Sequence, residues 1–171
     1  MVDLMGALLG FFENPAVYLV LVFIYAILVA IILPIPIEFA LIWPLLNGHL
    51  ALFIAAAIAM AAGKMVGALF VLWLGVKVEQ SVFYWSKKLQ WFGKVVRYLS
   101  LFVKKTGYVG LYVILSIPLM TDTVPIYIYS IFHEEGKKPS MVMFGLTNFT
   151  AALTRAAIIA LVLALFGVQL A

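Results

Sequence analysis

Residues 33 to 44 read LPIPIEFALIWP, and the rest of the chain follows from how that stretch is read. Pro34 and Pro36 stand just past a long apolar run, and a lone carboxylate, Glu38, follows them. Proline has no backbone donor and clashes with the preceding turn, so no straight helix runs through both prolines. Apolar runs flank the break on either side, at 14 to 32 and 50 to 76, each of a length that spans lipid. Broken backbone beside a charge, at membrane depth, is tolerated only where protein or a wet cavity covers it. The pattern occurs twice: Pro118 and Asp122 repeat the spacing of Pro34 and Glu38, a proline, three residues and an acid.

Working outward, Asn14 before Pro15 is an N-cap with proline at the first helical position, and residues 14 to 32 read as the first transmembrane helix. The piece from Ile35 to Leu46 is too short to cross, and Asn47, Gly48 and His49 form a surface turn, so 34 to 49 reads as a re-entrant half-helix. A kinked tail of the first helix is the other reading of that stretch. Residues 50 to 76 form the second span, with Gly63, Gly67 and Ala68 offering a flat face for close helix packing. Lys64 stands near its middle, roughly 20 Å from either end, too deep to reach water along its own stem. Its natural partners are Glu38 and Asp122.

Between 77 and 105 lie Lys77, Lys87, Lys88, Lys94, Arg97, Lys104 and Lys105 against Glu79 alone, interleaved with Tyr84, Trp85, Trp91 and Tyr98. This is the pattern of a basic amphipathic segment on an anionic cytoplasmic membrane face, not of nucleic-acid binding. Residues 106 to 132 repeat the opening theme: an apolar half, Pro118, a polar tip at Thr121, Asp122 and Thr123, then Pro125 and a second short apolar half. A re-entrant hairpin or one kinked span accounts for it. After the polar loop HEEGKKPS, residues 141 to 168 form the last span, interrupted by Asn148, Thr150, Thr154 and a second deep cation, Arg155. Asn148-Phe149-Thr150 fits a glycosylation pattern but falls inside a predicted span.

The expected fold is therefore an all-α, multi-pass protein of the cell membrane, one domain over residues 1 to 171. It has two proline-broken re-entrant elements entering from opposite faces, as in inverted-repeat transporters. Counting crossings sends helix one out and helix two back in. That places both basic connections inside, residues 47 to 49 outside, and the acidic N-terminal segment (Asp3, Glu13) inside.

Composition agrees: the chain is 67% hydrophobic and 11% charged, with a net charge of +4. Soluble domains run at about 45–50% apolar and about 25% charged. There is no Cys, and His49 and His133 are the only histidines, which excludes thiol chemistry and a His-rich metal centre. No secretory signal is evident, since the opening lacks a basic n-region. The motifs of zinc proteases and serine hydrolases are missing, so neither enzyme activity nor a cofactor nor a metal is expected.

The run LPIPIE, the Asn47-Gly48 turn and the glycine-rich helix with Gly63, Gly67 and Gly75 resemble the DedA family, part of the broader VTT superfamily. In the second half, Phe102, Lys105 and Gly107 leading to SIPLMTDTVP (116 to 125) are similar in outline, as is Asn148 near the start of the next helix. The resemblance covers about residues 15 to 160. Asp122 stands where the family carries an arginine at the second tip, and Ser116 and Lys64 also depart from its pattern. Small multidrug export proteins are a related, shorter branch.

The resemblance implies a transporter or translocase of lipids, with a polyprenyl phosphate as substrate. Small-molecule or drug export and a non-transporting structural or assembly role are the alternatives. Expected partners are membrane lipids, protons and further copies of the chain in a homo-oligomer, with no nucleic acid. The expected substrate and proton site comprises Glu38, Lys64, Asp122 and Arg155, with Thr121, Thr123 and Asn148. Two acids and two bases in apolar segments are each expensive alone and neutralise one another when paired.

Overall fold

The computed structural model describes residues 14–32, 38–88, 90–120, 122–132 and 140–166. Within them the chain is all-α. Helix α1 is Pro15–Ile31, α2 Phe39–Leu46, α3 Leu50–Lys88, α4 Gln90–Ser116, α5 Thr123–Ile131 and α6 Met141–Leu165. Pro34, Pro36, Thr121 and the loop at 133 to 139 lie outside the described residues. Among the described residues, two stretches, Leu50–Gly75 of α3 and Met141–Leu165, are long and apolar enough to cross a membrane, and α1 is a shorter apolar helix.

Local chemistry sets the boundaries. The Asn14 side chain accepts from the Ala16 amide at 3.1 Å, with Pro15 behind it as the first helical residue. Ser140 caps α6 in the same way through the Met143 amide. Helix α2 stops because Gly48 takes φ +71, which lets the Gly48 and His49 amides fold back onto Leu45 and Pro44 carbonyls. Helix α3 does not stop at residue 76, where the expected span ends, but runs on to Lys88. Lysine and glutamate are good helix formers, so a change from apolar to charged ends a membrane span without ending a helix. Helix α4 is broken at Gly107 (φ 52, ψ −149), which divides the basic stretch before it from a short apolar arm after it.

Glycine sets the closest helix contact. Gly63 of α3 lies against Phe23 and Ala26 of α1, and Gly67 lies against Ile27 and Ala30. A Cβ at Gly67 would stand 2.7 Å from the Ala30 Cβ, so only a hydrogen fits there. Both helices advance four residues between these contacts, so α1 and α3 run parallel. This corrects the crossing count, which has helix two returning against helix one. The Tyr18 hydroxyl donates to the Ala40 carbonyl, and the Tyr18 and Trp43 rings stand 5.9 Å apart, so α2 lies beside the start of α1. With α2 beside the start of α1, α3 begins at the end where α1 began.

The second half turns in the same manner. After Gly107 the arm of α4 runs to Ser116, and α5 returns beside it, with the Tyr129 hydroxyl 2.6 Å from that of Thr106 and the Phe102 and Tyr129 rings edge to face. The two halves join across α3 and α6, which are antiparallel. Residues 53 to 61 of α3 share one apolar cluster with 152 to 159 of α6, and residues 68 to 72 share the other with 144 to 151. Lys64 falls between the two clusters.

Candidate functional site

Each charged residue reaches the centre by a different local cause. Glu38 and Asp122 immediately precede the short helices α2 and α5, where a negative charge complements the unpaired amides of a helix start. Neither side chain bonds its own helix, so both carboxylates are free to face inward. Lys64 and Arg155 each stand fourteen positions past the first residue of their long helix, Leu50 and Met141. That is about 21 Å along each axis, near the middle of the apolar stretches Leu50–Gly75 and Met141–Leu165.

There the structure brings the four together. Arg155 Nη1 meets Glu38 Oε1 at 2.7 Å, Arg155 Nη2 meets Asp122 Oδ1 at 2.7 Å, and Lys64 Nζ meets Asp122 Oδ2 at 2.6 Å. All are buried, at 1–3% exposure for the whole residues. Arg155 also donates from Nε to the Leu115 carbonyl at 2.9 Å and from Nη1 to the Met120 carbonyl at 3.2 Å. The last carbonyls of a helix have no partner within it, and Arg155 supplies one for α4 while adding positive charge at its negative end. The planar fork of arginine allows five directed donors, so one residue holds two acids and the end of a helix.

Not every contact is aligned as a hydrogen bond. The Lys64–Asp122 and Arg155–Asp122 pairs are close but off the hydrogen-bonding angles, so they are ionic contacts. Glu38 Oε2 accepts no hydrogen bond among the described residues, although it is buried. Its partner oxygen carries the whole interaction with Arg155.

The other expected site residues stand apart. Thr123 donates to the Val29 carbonyl at 2.9 Å, and Tyr127 to that of Ile31, so α5 caps the end of α1. Asn148 is buried but turns its amide back onto the Phe144 carbonyl of its own helix, and Thr150 does the same to Leu146. Among the described residues, neither the Thr123 nor the Asn148 side chain hydrogen-bonds any of the four charges. Pro118 lies in the turn after α4, and Pro125 is buried in the first turn of α5, where its missing amide costs no helical bond. Leu119 in that turn holds φ 62, a left-handed conformation. Sequence reasoning missed the Leu115 and Met120 carbonyls, since backbone acceptors carry no residue signature. Pro118, which ends α4 and so exposes its last carbonyls, was the available signal.

Comparison of the chain with protein-family models, with curated proteins and with solved structures finds no match.

Proposed function

We propose that this chain is a multi-pass membrane protein that moves a lipid with an anionic, phosphate-bearing headgroup across the bilayer, exchanging protons as it does so. One observation carries the reading: two acids and two bases are buried together near the middle of the apolar stretches Leu50–Gly75 of α3 and Met141–Leu165 of α6. Buried ion pairs are weak stabilisers and are often matched by apolar packing of equal volume, so the quartet is not explained by stability. Charged groups at that depth mark substrate and proton paths.

The exterior supports the membrane. Ile24, Ile54, Phe70, Val113 and Leu161 are all exposed, so the charges face in and large apolar side chains face out. In a bilayer the hairpins α1/α2 and α4/α5 would dip in from opposite faces with Glu38 and Asp122 near their tips. The basic stretch beyond residue 76 would lie on the cytoplasmic side.

In this scheme the headgroup enters between the hairpins while its tail stays in lipid. Arg155 offers a fork that matches phosphate as well as carboxylate, and Lys64 offers a mobile point charge. The four residues carry no net charge together. A phosphate that takes a cation from Glu38 or Asp122 leaves that acid to take up a proton, which couples the two movements. The polyprenyl phosphate suggested by the DedA resemblance fits this chemistry.

Reconstitution into liposomes tests it, with transbilayer movement measured for a polyprenyl phosphate and for a neutral lipid of equal tail length. Wild type is expected to accelerate the phosphate lipid, and Lys64→Gln to lose that preference while retaining its helix content. Equal movement of both lipids, or none of either, overturns the reading.

A further inference from the structure

The two halves correspond around the charges, in one register at the acids and in another at the cations. Aligned on their acids, Glu38 matches Asp122, and Ile32 at the end of α1 matches Ser116 at the end of α4. Aligned on their cations, Lys64 matches Arg155, Leu50 matches Met141 and Gly75 matches Phe166. Exchanging the halves turns Lys64–Asp122 into Arg155–Glu38 and the reverse, so these two pairs map onto each other. The third pair does not map onto itself: Arg155–Asp122 becomes Lys64–Glu38, an ion pair not found among the described residues. Glu38 Oε2, the acceptor that this pair would use, is buried and without a hydrogen bond.

A second asymmetry agrees with the first. Both short helices lean on α3: α5 packs closely along it and α2 does too, whereas α2 only touches α6. The α5 contact is tight, since a Cβ on Gly75 would stand 2.7 Å from the Ser130 Cβ, and both residues are buried. The matching positions in the other half are Leu46 of α2 and Phe166 at the end of α6, and they are 59% and 84% exposed.

We propose that the site has a second arrangement, the observed one with the halves exchanged. Arg155 releases Asp122, Lys64 takes Glu38 Oε2, α5 leaves α3, and α2 closes on α6. The Lys64–Asp122 and Arg155–Glu38 pairs persist in both arrangements, so no buried charge is stranded on the way, which keeps the two states close in free energy. Built on the translocase reading, this exchange closes the site on one side as it opens on the other, and it names the ion pairs that alternate.

The chain has no Cys, so Leu46→Cys and Phe166→Cys place two spin labels on the otherwise intact protein in lipid. Pulsed electron resonance then reads their separation. Two distances are expected, the longer one dominant. Adding Gly75→Ala sets a methyl group against Ser130 in the observed arrangement only, far from the charges. It is expected to raise the ratio of short to long by about tenfold. The pair Lys64→Arg with Arg155→Lys moves the fork to the first half and is expected to shift the ratio the same way.

A single, unchanged distance in the labelled parent and in Gly75→Ala, with helix content retained, overturns the exchange. The parent alone decides if the variants fail to fold. Two distances without phosphate-lipid movement would sink the translocase reading and leave the exchange standing. One distance with movement would do the reverse.

Discussion

The halves α1–α3 and α4–α6 place an acid before a short helix and a cation fourteen positions into a long one, yet they differ in the cation. Lys64 meets one acid; Arg155 meets two acids and two backbone carbonyls. The first half instead has the closest backbone packing, with Gly63 and Gly67 against α1, where the matching positions of α6, Thr154 and Ile158, carry side chains. Thr154 bonds Tyr112 of α4 at 2.8 Å instead. One half is thus held by steric fit and the other by a polar hub. Equivalent positions in the two halves therefore do not carry equal weight.

Breaking the hub is expected to have the largest effect. Arg155→Gln strands Glu38 with no ionic partner among the described residues and leaves the end of α4 uncapped. The expected loss is about 3–5 kcal/mol, the usual cost of stripping one member from a buried ion pair. Denaturant unfolding in mild detergent would measure it. Lys64→Gln leaves Asp122 still facing Arg155, and a smaller loss of about 1–3 kcal/mol is expected in the same assay. Equal losses for the two variants would erase the proposed asymmetry.

Gly63→Val probes the other half. Its side chain would collide with the Phe23 carbonyl and Ala26. A cost of about 1–3 kcal/mol is expected from overpacking. Introduced cysteines at the α1–α3 contact should then cross-link more slowly. Val at Thr154 should be tolerated better, because a side chain already fills that place. The smallest effect is expected at Leu119, which is exposed and held at φ 62. Leu119→Gly removes a strain of about 1 kcal/mol, offset in part by the greater freedom of glycine when unfolded. A small rise in melting temperature is the expected reading, and a fall would show that the Leu119 side chain makes contacts of its own.

Much of this arrangement could be read from the residues. Two prolines each followed by an acid mark the breaks, Asn47-Gly48 marks the turn, and the depth of Lys64 and Arg155 marks them as partners for those acids. The direction of α1 against α3 could not be read. Counting crossings takes α1 and α3 as two opposed passages, whereas the two helices run in the same direction with only the short α2 between them in the chain. What distinguishes the cases is the four-residue register of Gly63 and Gly67 on α1, a tertiary contact. The sequence likewise offers two acids and two cations without saying which pairs form. That choice depends on Arg155 lying beside the open end of α4, which its place in the chain does not disclose. Nor does the sequence disclose that Thr123 and Asn148 donate to the Val29 and Phe144 carbonyls, since hydroxyl and amide groups in apolar helices bond nearby carbonyls as readily as a ligand.

The central claim is that the buried quartet handles protons and an anionic headgroup together. The most direct measurement is phosphate-lipid movement against pH in liposomes containing wild type, Glu38→Gln or Asp122→Asn, with protein incorporation held equal. The account predicts pH-dependent movement in wild type, strong loss in both variants, and residual movement in one of them that no longer responds to pH, identifying the carboxylate that carries the proton. Movement equal to wild type at every pH in both variants would contradict it, and the quartet would then be a structural clasp between the halves.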